Sequence, residues 1–135
     1  MSTTTSIVTG MDFVSVPTRD LDAARAFYGD VLGLPCSSVW QRGDAPALGA
    51  EFETGSMTIA LMQSELLGIP FSPHTVPVAL RVDDVPAAQA ALEERGVTFL
   101  GDMIDSGVCH MANFRDPDGN ALMLHHRYAP LAGRD

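Results

Sequence analysis

The stretch RDLDAARAFYGDVLG, residues 19–33, occurs a second time in the 135-residue chain as the weaker copy DDVPAAQAALEERG, residues 83–96. Moving the chain by 64 residues aligns the two copies together with their flanks. The matching residues are Val14 with Val78, Val16 with Leu80, Asp20 with Asp84, Leu21 with Val85, Ala24 with Ala88 and Gly55 with Gly119. Because self-similarity at a fixed spacing is the signature of a repeated structural unit, we predict two copies of one module.

Each copy has the pattern of a strand, a helix and three more strands. In the first copy, the alternating segment Met11–Pro17 predicts a strand, Asp20 can cap a helix, and a glycine ends that helix. The second copy repeats this pattern with Asp84 as the cap, and the turn DPDG at 116–119 precedes its last strand. The remaining strands are predicted near Cys36–Gln41, Leu48–Thr54, Ser56–Gln63, Thr98–Met103, Val108–Arg115 and Asn120–His126.

These elements predict an α+β fold in which two βαβββ modules form a cup-shaped, eight-stranded half-barrel with the helices outside. The modules are predicted at residues 10–63 and 76–127, within a single domain at 10–127. The linker between them, residues 64–75, is too short to separate independent domains. We expect residues 1–9 to be a flexible N-terminal segment and residues 128–135 to be a C-terminal tail.

The composition excludes several classes of function. The chain has 8 basic residues, all of them Arg, against 17 acidic ones, and its formal net charge is −9. A chain without Lys has neither a Schiff-base lysine nor a P-loop. A strongly acidic surface repels phosphate groups, so we expect neither nucleic acid nor a membrane as a partner. There is no signal-peptide pattern and no apolar run near the roughly 18 residues of a membrane helix, which favours a cytoplasmic protein.

Three segments of the chain resemble a known family: DFVSVPTRDLDAARAFYGDVLGL, VPVALRVDDVPAAQAALEERGV and FRDPDGNALML, which together extend from Asp12 to Leu124. They are similar to the vicinal oxygen chelate superfamily, which includes glyoxalase I, extradiol dioxygenases, fosfomycin resistance enzymes and bleomycin-binding proteins. The resemblance implies a glyoxalase-like domain of paired βαβββ modules that is usually completed by a second chain. We therefore expect a homodimer.

The resemblance also implies where a metal would bind. Catalytic members of the superfamily typically hold a divalent metal with a His on the first strand, a His on the fifth and a Glu on the last. These positions fall on Phe13, Pro77 and Met123, none of which can bind a hard divalent cation. A shift of one residue supplies only one carboxylate, that of Asp12. We therefore expect no metal and no other cofactor.

The same alignment predicts which side chains face the cup. Side chains alternate across a strand, so residues two positions from a ligand position of the family share its face. Repeat symmetry places Ile59 in the position of Met123. The resemblance implies that Asn113, three residues before the DPDG turn, faces the cup together with Met111, and it places Trp40 where relatives carry an aromatic side chain near the ligand. The predicted ligand-binding residues are Phe13, Ser15, Trp40, Ile59, Pro77, Met111, Asn113, Met123 and His125.

This set of side chains is mostly apolar, and it supports more than one hypothesis. Methionine adapts to the shape of a ligand and Trp40 offers a stacking surface, so we predict a metal-free protein that binds a small hydrophobic or aromatic molecule, such as an antibiotic or another natural product. The alternative is an enzyme, namely a lyase, isomerase or dioxygenase that uses a non-standard metal site or His125 as an acid–base catalyst. A third hypothesis is a cup filled by its own side chains or covered by a partner.

Overall fold

The computed structural model describes residues 5–130, so parts of the two predicted terminal segments, residues 1–4 and 131–135, lie outside the described residues. The first module contains β1 (Phe13–Thr18), α1 (Leu21–Ala26), β2 (Cys36–Trp40), β3 (Gly49–Glu53) and β4 (Thr58–Gln63). The second contains β5 (Val78–Arg81), α2 (Val85–Glu94), β6 (Leu100–Asp105), β7 (Cys109–Arg115) and β8 (Ala121–Arg127). A π-helical segment (Phe27–Val31) extends α1, and a 3-10 helix (Ser64–Leu67) follows β4. The predicted α+β fold of two βαβββ modules is confirmed.

Each module forms its own four-stranded sheet, with the strand orders β1-β4-β3-β2 and β5-β8-β7-β6. The first and last strands of each module run parallel, and the other pairs run antiparallel. In the described part of the chain, β1 and β5 each pair with one strand only, so each is an edge of its sheet. No backbone ladder joins the two sheets there, and side chains must hold the modules together.

Each helix begins at the aspartate that the repeat predicts. Asp20 Oδ1 accepts a hydrogen bond from the Ala23 amide at 3.1 Å, and Asp84 Oδ1 accepts one from the Ala87 amide at 2.9 Å. A carboxylate in this position satisfies a free amide and faces the positive end of the helix dipole. The helices are short, and none within residues 5–130 is long and apolar enough to cross a membrane.

The sheet faces that the helices cover contribute to one common core. Val16 and Leu61 of the first sheet belong to the same cluster of buried side chains as Phe114 and Leu122 of the second. The segment that extends α1 reaches the second module directly, because the centroids of the Phe27 and Phe114 rings are 6.4 Å apart. Apolar burial therefore joins the modules, at about 25 cal/mol for each Å² removed from water.

A buried polar network also joins the modules. Asp116 Oδ2 accepts hydrogen bonds from the Tyr28 hydroxyl and from Asn120 Nδ2, both at 2.8 Å. Asn120 Nδ2 also donates to the Pro17 carbonyl at 2.9 Å, and Asn120 Oδ1 accepts from the His74 amide at 2.8 Å. Burial is the largest cause that raises the pKa of Tyr28, and the nearby Asp116 carboxylate is the next largest. The phenol therefore stays protonated and donates its hydrogen bond to Asp116. The network satisfies buried polar groups that come from both modules: the Tyr28 hydroxyl of the first, and Asp116 and Asn120 of the second.

The prediction that Ile59 faces the cup is wrong. Ile59 pairs with Val14 on one side and Phe52 on the other, and it lies in the common core with 2% of its surface exposed. Its neighbour Ala60 faces away from the helix instead. Ala60, and not Ile59, is the counterpart of Met123 in the other module.

The cause of this error is the length of one hairpin turn. β4 begins three residues after Gly55, whereas β8 begins two residues after Gly119. The additional residue shortens the spacing between equivalent positions of these strands from 64 to 63. Because successive side chains of a strand point to opposite faces, a shift of one residue exchanges the two faces of β4.

We predict that Asn120→Ala lowers the free energy of unfolding by about 3 kcal/mol, because the Pro17 carbonyl, the His74 amide and Asp116 each lose a buried hydrogen bond. Urea unfolding followed by circular dichroism measures this change. Asn113→Ala is the matched control, since Asn113 lies half-buried on an open sheet face and should cost less than about 1 kcal/mol. Equal losses in the two variants would contradict a special role for the network.

Candidate functional site

The open face of the second sheet, which α2 does not cover, brings four predicted ligand residues together. Across β7 and β8, Asn113 pairs with Met123 and Met111 pairs with His125. Opposite residues in an antiparallel pair have Cβ atoms about 5 Å apart, so these half-buried side chains form one patch. Pro77 directly precedes β5 and, by alternation from Ala79, belongs to the same face.

The open face of the first sheet carries the other predicted residues. Phe13 and Ser15 lie two positions apart on the edge strand β1, and Ala60 is opposite Ser15 on β4. Trp40 lies on β2, at the other edge of the same sheet. These side chains share a face but do not form one cluster.

The Trp40 indole is held in a fixed position on this open face. Its Nε1 donates a hydrogen bond to Glu51 Oε2 at 2.7 Å. Its ring lies so close to Gly49 that a Cβ at that residue would stand 2.7 Å from Trp40 Cε3. The same Cβ would also collide with the Leu61 carbonyl oxygen. Only glycine fits there, and its absent side chain lets the indole lie against the sheet. A fixed aromatic surface binds a flat ligand at little cost in side-chain entropy.

Two carboxylates that were not predicted from the sequence, those of Glu51 and Glu53, lie on the same face. The Ser37 and Thr58 hydroxyls donate to Glu53 at 2.5 Å and 2.6 Å. These hydrogen bonds, with that of Ser37 the larger effect, hold the pKa of Glu53 below its ordinary value, so the group stays ionised at neutral pH. The pattern GAEFE at 49–53 contains this information, because alternation places both carboxylates on one face of β3 and the buried side chains of Ala50 and Phe52 on the other.

The two open faces carry charges of opposite sign. Glu51 and Glu53 lie on the open face of the first sheet. On the second sheet, the register places Arg81, Arg115 and Arg127 on the face that carries the methionine patch. Complementary potentials of this kind steer and orient surfaces that associate.

Both open faces also expose large apolar side chains. Phe13 is 46% exposed on the first sheet. On the second sheet, Leu100 and Ile104 are 45% and 47% exposed, and they pair with Asn113 and Met111. Apolar surface that gathers around a few polar groups marks a site for a ligand or a partner.

The metal that the family resemblance implies does not fit the residues of this chain. Phe13, Pro77 and Met123 occupy the expected ligand positions, and the fourth equivalent position holds Ala60. None of these side chains donates an electron pair suited to a hard divalent cation. Within residues 5–130, no three His, Cys, Asp or Glu side chains come together in a metal-binding group.

His125 has no carboxylate in its immediate cross-strand surroundings. It pairs with Met111 on β7 and with Arg81 on β5. A catalytic histidine is normally oriented by a hydrogen bond to its second ring nitrogen, and an apolar and a cationic neighbour do not accept one. The enzymatic hypothesis therefore gains no support from this position.

The fold and the motif define a family. The model of the glyoxalase/bleomycin resistance protein/dioxygenase superfamily matches residues 10–124. The chain therefore belongs to this superfamily. Among curated proteins, none matches the chain significantly.

Two solved structures from Streptomyces sp. CB03234 are similar to the chain. The antibiotic-binding protein TnmS3 is 27% identical, with a TM-score of 0.74 over 91% of this chain and 99% of TnmS3. A glyoxalase/bleomycin resistance protein is 28% identical, with a TM-score of 0.69 over 87% of this chain and 100% of that protein. A lactoylglutathione lyase from Agrobacterium tumefaciens, 20% identical, shares the fold with a TM-score of 0.70 over 89% of this chain and 95% of the lyase.

We predict that Glu51→Ala shifts the fluorescence emission of Trp40 to longer wavelength and lowers its anisotropy, because the indole loses its hydrogen-bond acceptor and gains mobility. Trp40 is the only tryptophan, so the signal reports this side chain alone. Glu51→Gln retains an acceptor oxygen and should shift the emission less. Glu53→Gln is the control with the same charge change and should leave the spectrum unchanged.

Proposed function

We propose that this protein binds a small hydrophobic or aromatic molecule, such as an antibiotic or another natural product, without a metal or another cofactor, in the cytoplasm. The observation that carries the proposal is the fixed Trp40 indole on a sheet face of the same domain as the methionine patch. Such a ligand would stack on the indole. The contacts that we propose with Phe13 and Ser15 lie across the same open face, on the opposite edge strand, and the contact with Pro77 lies beside the methionine patch. TnmS3, whose description is that of an antibiotic-binding protein, supports this class of ligand.

The chemistry of the patch suits recognition rather than catalysis. Met111 and Met123 are flexible and polarisable, so they adapt to the outline of a polycyclic or irregular ligand. Asn113 and His125 stand beside them and supply a few hydrogen bonds that fix the ligand's orientation. Binding needs no step beyond the loss of water from these surfaces.

We further propose that the protein is a homodimer in which an open face of the first sheet meets an open face of the second. The opposite charges of these faces and their exposed apolar side chains support this arrangement. Covering Phe13, Leu100 and Ile104 removes apolar surface from water, and the Glu and Arg side chains at the rim orient the two surfaces. The ligand would then be enclosed between the faces.

We predict that Met123→Arg weakens binding of a flat aromatic probe, 9-aminoacridine, at least tenfold, because a charge replaces the centre of the apolar patch. Isothermal titration calorimetry and quenching of Trp40 fluorescence measure the dissociation constant. Leu66→Arg is the control, since it adds the same charge at a position that is 51% exposed outside the sheets. Equal affinities of Met123→Arg and the unmodified protein would refute the pocket assignment.

We predict a particle of twice the 14.4 kDa chain mass in light scattering coupled to size-exclusion chromatography. Reversing two charges with Glu51→Arg and Glu53→Arg should increase the dissociation constant of the dimer at least tenfold, because Arg would then face Arg. The double variant Glu93→Arg and Glu94→Arg makes the same charge change on the exposed side of α2 and should remain dimeric. A monomer at all concentrations of the unmodified protein would contradict the proposed assembly.

A further inference from the structure

A cavity with a volume of about 520 Å³ lies between the modules, mainly on the side of the sheets that the helices cover, and it reaches around the free edge of β5. Leu32 and Leu34 line it from the first module, and Leu80, Ala91 and Leu124 line it from the second. Of the predicted ligand-binding residues, only Ile59 lines this cavity. Apart from Ala79 and Arg81, its lining is distinct from the residues assigned to the two open faces.

A difference between the two repeats explains why this space is empty. The spacing of 64 makes Ala91 of α2 the counterpart of Phe27, which packs on Phe114 of the opposite module. Where the first repeat places an aromatic ring between the modules, the second has only the methyl group of Ala91, which lines the cavity and is exposed. Missing side-chain volume of this kind leaves a gap that the neighbouring groups do not fill by themselves.

The charge of the lining indicates which ligands the cavity can accept. The chain carries 17 acidic residues, yet none of the described residues that line the cavity is acidic. Arg81, at the end of β5, is the single charged residue among them; it is exposed, and its register places it on the open face, which the cavity reaches at the free edge of β5. An apolar molecule with a negatively charged end would meet no repulsion here and would find a cation at the opening.

The strand that borders the cavity adds hydrogen-bonding groups. Five consecutive residues, 78–82, line it irrespective of the face to which their side chains point, so the cavity runs along the free edge of β5. The outward backbone groups of an edge strand lack strand partners, and they can donate to a carboxylate. The size of the cavity is within the range of about 300–1,000 Å³ that small-molecule sites occupy.

We infer that this cavity is a second binding site, separate from the open faces, that takes an apolar monocarboxylate such as a medium-chain fatty acid. The hydrocarbon chain lies between the modules against Leu34, Leu80 and Leu124. The carboxylate lies at the opening, beside Arg81 and the edge of β5. The residues proposed to contact an aromatic ligand take no part in this site, which shares only Ala79 and Arg81 with the charged open face of the second sheet.

The experiment uses dodecanoate, dodecan-1-ol and dodecyltrimethylammonium as probes of one chain length and different charge. The two ions are kept below their micellar concentrations and the alcohol below its aqueous solubility. Calorimetry on the full chain should give saturable binding of dodecanoate, at least tenfold tighter than binding of the cationic probe. Arg81→Gln should remove most of the preference for dodecanoate over dodecan-1-ol. Met123→Arg should leave dodecanoate binding unchanged, which separates this site from the open face.

A cavity-filling variant and its matched control test the location. Ala91→Phe places the ring of the other repeat into the cavity and should weaken dodecanoate binding at least tenfold. Ala90→Phe makes the same change on the next residue of α2, which does not line the cavity, and should bind normally. Circular dichroism verifies folding, and Ala88→Leu is the smaller substitution if Ala91→Phe fails to fold.

Three results would overturn the inference. The first is equal binding of dodecanoate by Ala91→Phe and Ala90→Phe, and the second is equal binding of the anionic and cationic probes. The third is an absence of dodecanoate binding combined with a dimer that Ala91→Phe dissociates, because a second copy of the chain would then occupy the cavity.

Discussion

The buried Asp116 carboxylate is the interaction on which the arrangement of the two modules depends. Apolar burial draws the modules together but is non-directional, so it does not define the angle between them. A carboxylate at 5% exposure is costly unless donors surround it, and the donors come from both sides: the Tyr28 hydroxyl from the first module and Asn120 from the second. Thr18 and Asp118 add a hydrogen bond of 2.6 Å at the same junction. The modules are therefore held in the one position where these groups meet.

The fold could be predicted from the sequence because the residues that mark the repeat make their contacts with neighbours a few positions away in the chain. Asp20 and Asp84 cap helices through contacts three residues away, and alternation in each strand separates core from open face without reference to other strands. The failure at Ile59 came from a feature that is local too, the additional residue after Gly55, but its effect extends along all of β4. Glycine spacing alone did not reveal it, because Gly55 and Gly119 still align at 64.

The candidate site was predicted in part. The family resemblance supplied Met123 and Asn113, and alternation extended them to His125 and Met111, since these residues lie on two neighbouring strands in simple register. The position of the Trp40 indole depends on Gly49 and Glu51 across β2 and β3, a pair of strands whose register includes an irregularity near Cys36 and Ser38 that no periodic pattern contains. The cavity between the modules depends on how two whole sheets and their helices pack against each other. A pattern of neighbouring residues in the sequence does not predict that packing.

The additional residue in the first hairpin also limits how such a chain can change over generations. Equivalent residues of the two modules are 64 apart before the last hairpin turn and 63 apart after it. A recombination that joins the turn of one module to the last strand of the other would therefore turn the apolar side of that strand towards water. Hybrids of this kind would lose Ile59 or Leu61 from the core and would be eliminated as misfolded. Recombination therefore does not make the two modules identical in sequence. Substitutions accumulate in one module without being copied into the other. A small difference in turn length preserves two distinct surfaces from one repeated unit.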